Sequence, residues 1–195
     1  AAALSPRGRS ARPGLELADS FVTDPHKWLF QPYDVACLFV REPGALERTF
    51  AMYPEYLADL GGDEPDLHNR SLELTRRSRA LKLWLTMRAY GLPTLSRAVE
   101  RGIALSEYAE SAVEADPRLE VITPAQLGIV TFAGVGADDD AHRRAVAALN
   151  AEGYAAASTT VLSGRTVLRL CIINPRTTTE DIDGTIARLA GLTVP

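Results

Sequence analysis

The sequence predicts an α/β protein whose C-terminal part is a smaller α+β unit, and three observations lead there. Near the start, Phe21-Val22 and the run inside Tyr33–Arg41 are apolar without the alternation of a half-wet strand, which suggests strands covered on both faces. From Thr75 to about Ala115, apolar residues recur at three-and-four spacing, the signature of helices. The last third then reads strand, strand, helix, hairpin, helix.

In chain order, residues 1–14 are rich in Ala, Ser, Pro, Arg and Gly and read as a loop or frayed start. Leu15–Thr23 reads as a short buried strand approach that stops at Pro25, which has no N–H for a ladder. After the second strand, Glu42-Pro43-Gly44 breaks the chain and Ala45–Phe50 predicts a short helix. Residues 51–72 have poor periodicity and are interrupted by Pro54, Gly61-Gly62 and Pro65. A stretch of that length without structure of its own is usually functional, so a mobile active-site loop is expected over about 45–72. Two helices follow, Thr75–Tyr90 and one capped by Thr94 that ends at Asp116-Pro117.

Leu119–Thr123 and Gly128–Phe132 read as strands. Asp139–Glu152 reads as a helix capped by the Asp138-Asp139-Asp140 run and closed by Gly153. Tyr154–Leu162 and Arg165–Ile173, joined through Ser163-Gly164, predict a hairpin. Thr177-Thr178-Thr179-Glu180 resembles a capping box opening a helix to about Ala190.

Composition narrows the function classes. The 195 residues are 46% hydrophobic and 24% charged, the balance of a globular protein. A net charge of −4 gives no reason to expect a nucleic-acid partner, and no apolar run is long enough for a membrane partner. Cys37 and Cys171 lie in apolar runs and read as reduced core thiols, so a cytoplasmic location is expected. Metal ligation finds no support: His26, His68 and His142 are far apart, and the acidic run lacks the Gly and Glu of a calcium loop.

The chemistry centres on Asp24-Pro25-His26-Lys27-Trp28-Leu29. Of the 21 Lys and Arg residues, only Lys27 and Lys82 are lysines. A lysine kept in so Arg-biased a chain suggests a task that needs a removable proton. Between an imidazole and the apolar Trp28-Leu29-Phe30, an amine is disposed to lose that proton and attack a carbonyl. The plainer alternative is a half-buried lysine whose stem lies along Trp28. The catalytic reading requires an amine that is uncharged and open to a carbonyl carbon. A nitrogen pointing into bulk water, or locked to a carboxylate away from any cavity, would sink the enzymatic account and leave only an α/β fragment.

Ala18-Asp19-Ser20-Phe21, Asp24-Pro25-His26-Lys27-Trp28-Leu29 and Arg76-Arg77-Ser78-Arg79-Ala80-Leu81-Lys82-Leu83-Trp84 resemble the group II pyridoxal-phosphate-dependent amino-acid decarboxylases, the aromatic-L-amino-acid decarboxylase-like family. The similarity runs over nearly the whole chain and implies the C-terminal portion of such an enzyme. By this resemblance, residues 1–80 are the C-terminal edge of a fold type I large domain, and residues 81–195 a helical connector with a small α+β domain.

The resemblance also implies pyridoxal 5'-phosphate as cofactor, held as a Schiff base on Lys27. His26 is implied near the phosphate or behind the lysine, and Thr75 near the phosphate across a dimer interface. Tyr56, in Pro54-Glu55-Tyr56-Leu57, is implied as the acid that returns a proton to the substrate α-carbon, often in the neighbouring subunit. A phenol held close in a dry site can do this. The implied reaction is decarboxylation of an aromatic or related L-amino acid to its amine, by a homodimer or with a complementing N-terminal chain. An aldehyde synthase, a decarboxylase of a non-aromatic amino acid, or an inactive interaction fragment are the alternatives.

Overall fold

A computed structural model describes residues 1–52, 55 and 66–194. In chain order the elements are α1 (Pro6–Ser10), β1 (Ser20–Thr23), α2 (Pro25–Trp28), β2 (Cys37–Val40), α3 (Ala45–Phe50), α4 (Arg79–Tyr90), α5 (Leu92–Glu114), β3 (Leu119–Gln126), β4 (Ile129–Gly134), α6 (Asp139–Glu152), β5 (Ser158–Leu162), β6 (Arg165–Cys171) and α7 (Thr179–Thr193). They form two compact units, Pro13–Tyr90 and Ala1–Arg12 together with Gly91–Pro195. The division thus falls at Tyr90/Gly91 rather than at 80/81, and the first residues belong with the second unit.

In the unit Pro13–Tyr90, β1 and β2 form an antiparallel ribbon with Phe21 opposite Phe39 and Val22 opposite Leu38. The sequence expects strands buried on both faces. Instead Val22 is 60% and Phe39 58% exposed, and among the described residues no third strand pairs with the ribbon. Helix α4 starts at Arg79 rather than Thr75 and buries no residue fully; Trp84 is 56% exposed.

The other unit is an antiparallel sheet in the order β3-β4-β6-β5, with α5, α6 and α7 packed on it. Val130 and Phe132 of β4 and Leu168 and Leu170 of β6 meet Val113, Leu149, Ile186 and Leu189 in one apolar core. Asp138 caps α6 through its carboxylate, which accepts the Ala141 N–H at 2.7 Å. Gly153 ends that helix at φ 70°, a left-handed conformation that favours glycine. The capping box of α7 is Thr178 with Asp181, one residue later than the sequence suggests. His142 is fully buried and its Nε2 accepts the Gly134 N–H at 3.0 Å. Cys171 is exposed rather than a core thiol, since its side chain lies opposite the core-facing Leu170 and Ile172.

Residues 1–12 are not a frayed loop. Ser5 is fully buried and caps α1 by accepting the Gly8 N–H at 2.8 Å, while Ser96 of α5 donates to the Leu4 carbonyl at 2.9 Å. The chain passes so close at Gly8 that an added Cβ would lie 2.2 Å from the Ala2 carbonyl oxygen. Composition alone hides this, because small residues serve tight packing as readily as flexibility.

Candidate active site

The Asp24–Trp28 turn is built by local rules. Strand β1 ends at Thr23, Asp24 stays extended, and Pro25 occupies the first turn of α2, where its missing N–H costs no hydrogen bond. Within that turn Lys27 lies three residues after Asp24, and its Nζ donates to Asp24 Oδ2 at 2.6 Å. The Lys27 side chain is 65% exposed and that of Asp24 29%. The hydrogen bond from Lys27 holds the Asp24 carboxyl below its usual range, against a smaller opposing effect of desolvation. The desolvated amine expected from the sequence is therefore not what the described residues display. The helical turn aims the ammonium at the carboxylate three residues back rather than at Trp28.

His26 is fixed from one side. Its Nδ1 lies 2.6 Å from the Val35 carbonyl oxygen and 3.2 Å from the Val35 nitrogen. Nδ1 is thus committed to the Val35 main chain, whichever ring nitrogen carries the proton. Tyr33 meets the imidazole edge-on, with ring centroids 5.0 Å apart. Nε2 makes no hydrogen bond among the described residues and is the ring's uncommitted polar atom. Trp28 Nε1 is buried and has no hydrogen-bond partner among the described residues.

Lys27 and His26 thus share one short helix, whereas Thr75 lies on an exposed bend, with no hydrogen bond joining it to either among the described residues. Arg77 and Arg79, candidates for an anion by composition, approach Asp34 at 3.7 and 3.1 Å instead. Tyr56 lies outside the described residues. Sequence reasoning passed over Asp24 as a partner of Lys27, although the three-residue spacing in a helical turn signals it. It also missed the Val35 backbone, which carries no side-chain signal at all.

By the criterion set from the sequence, an exposed amine bonded to a carboxylate at 2.6 Å speaks against a lysine poised for catalysis; the donor set suits a pyridoxal phosphate only once Asp24 releases that amine. It comprises a reachable primary amine for the aldehyde, a free imidazole nitrogen on the adjacent residue and an orphaned indole N–H. Among the described residues no group of His, Cys, Asp and Glu could hold a metal ion, and no helix is long and apolar enough to cross a membrane.

The model of the pyridoxal-dependent decarboxylase conserved domain matches residues 1–134. An aromatic-L-amino-acid decarboxylase of Bacillus atrophaeus is 41% identical over 93% of this chain and 40% of its own length. A phenylacetaldehyde synthase of a Rosa hybrid cultivar is 31% identical over 92% of this chain and 38% of its own. The crystal structure of Oryza sativa TDC with PLP and tryptamine superimposes with a TM-score of 0.82 at 33% identity, over 93% of this chain and 40% of that one. The chain thus spans about two-fifths of the length of these relatives.

Proposed function

Because the chain belongs to the pyridoxal-dependent decarboxylase family, we propose that it carries the cofactor-anchoring part of an L-amino-acid decarboxylase acting on an aromatic or related substrate. The observation that carries this reading is the match of the family domain across residues 1–134, which includes Pro25-His26-Lys27-Trp28 on its strand–turn–helix. When bound, pyridoxal phosphate supplies an electron sink into which the bond to a substrate carboxylate can break. Lys27 is the residue that anchors it, and Asp24 must first release the amine. His26, through Nε2, and Thr75, through its hydroxyl, are assigned to the phosphate. The Tyr56 phenol is assigned the proton returned to the substrate α-carbon. A homodimer or a complementing chain would furnish the rest of the pocket, and a cytoplasmic setting suits the two free thiols.

The aldehyde-forming relatives favour one second reading, a PLP-dependent aldehyde synthase. Tyr56 weighs against it, since the resemblance associates Phe at this position with aldehyde formation. Product analysis of the enzyme containing this chain, amine against aldehyde with peroxide, separates the two.

With only two lysines, trapping is a clean test of the anchor. The chain is incubated with pyridoxal phosphate, reduced with borohydride and mapped by peptide mass. Label concentrated on Lys27 and abolished by K27R is expected. Label on Lys82 or the N-terminal amine with none on Lys27 overturns the assignment.

A further inference from the structure

Lys82, the only other lysine, sits on a stripe that the proposed chemistry does not use. Arg79, Lys82 and Thr86 are spaced three and four apart, so they share one face of α4. All three meet the segment that follows α2. Arg79 Nε donates to Asp34 Oδ2 at 3.1 Å and Lys82 Nζ to the Pro32 carbonyl at 2.7 Å. Thr86 Oγ1 lies 3.3 Å from Gln31 Oε1, and Gln31 is buried and donates from Nε2 to the Leu29 carbonyl at 2.9 Å. The next residue after Asp34 is Val35, whose carbonyl oxygen and nitrogen lie 2.6 and 3.2 Å from His26 Nδ1.

We propose that the Arg79–Lys82–Thr86 stripe of α4 is a positioning device, which fixes the imidazole of His26 beside Lys27 by clamping Gln31–Asp34 and, through it, the Val35 backbone. Lys82 acts here as a threefold donor on a flexible stem, aimed at a backbone oxygen; it is a positioning residue and not a second reactive amine. Holding His26 through the main chain leaves its Nε2 for a ligand, whatever side chain occupies position 35. The ion pairs of Arg79 with Asp34 and Glu73 anchor the stripe at its N-terminal end. The inference deepens the proposed function and rests on the reading of His26–Lys27 as the cofactor-facing turn.

The test is nitrogen NMR of the histidine rings in the full chain, without cofactor, so it is independent of the trapping experiment on Lys27. Either can fail while the other holds. K82M keeps the stem and removes the donor, while K82R keeps a donor. In K82M the His26 Nδ1 chemical shift is expected to move to that of a solvent-exposed ring nitrogen. His142, in the other compact unit, stays unchanged as the control for folding. K82R restores the parent His26 Nδ1 shift, and R79M moves it as K82M does. A His26 Nδ1 shift in K82M equal to that of the parent overturns the proposal. So does a K82R variant as disturbed as K82M. If K82M disturbs His142 as well, R79M is read in its place, and parent-like His26 behaviour there is equally fatal.

Discussion

The two antiparallel sheets of this chain share an apolar sequence signal and differ in what they do with it. In β4 and β6, Phe132 and Leu168 are fully buried under α5, α6 and α7. In the β1–β2 ribbon, Val22, Leu38 and Phe39 are each about half exposed or more, on both faces. A strand apolar on both sides is built for a covered position. The sheet of the C-terminal unit obtains that cover from helices within reach in sequence, while Val22, Leu38 and Phe39 of the ribbon stay about half exposed or more. The hydrophobic pattern therefore reports the environment a strand is suited to, and only the coordinates report the one it has.

The difference can be broken most sharply by truncation. F132A removes a fully buried ring and should destabilise the C-terminal unit by about 3–5 kcal/mol, read from a denaturant midpoint. An effect under about 1 kcal/mol would mean that its core is not packed as described. Acid comes next. Burial, with Arg165 adding to it, holds the His142 imidazole below its ordinary value. Its neutral form therefore belongs to the fold, while the unfolded chain takes up a proton near pH 6.5. Stability is complete above that pH and falls as the pH drops towards the folded-state value. H142Q should flatten this fall in the urea midpoint of the C-terminal unit. Smallest is L38T, on an exposed ribbon position, which should move the midpoint by no more than about 0.5 kcal/mol. A larger loss would show that the ribbon has cover in solution.

Legibility followed how local the determinants are. Helix α6 was readable to its ends because its cap, Asp138, and its stop, Gly153, are both sequence-local. Helix α3 was likewise bounded by Gly44 and the loss of periodicity. The α7 capping box was misplaced by one residue because three consecutive threonines offer the same hydroxyl, and Glu180 and Asp181 both offer a carboxylate three residues on from one of them. The N-terminal segment was misread because its partners, Ser96 and Glu100, lie far away in sequence. At the site, motif residues His26 and Lys27 were legible, but the groups that hold them were not. Val35 acts through its main chain, and Asp24 partners Lys27 only once the turn between them is helical.

The bond between Lys27 and Asp24 has a kinetic consequence. An amine tethered to a carboxylate at a wet surface reacts with an aldehyde only in the moments when the tether is open, and dissolved ions compete for both ends. Any carbonyl reagent should thus find this nitrogen faster in concentrated salt than in dilute buffer. Replacing Asp24 by Asn should erase that dependence.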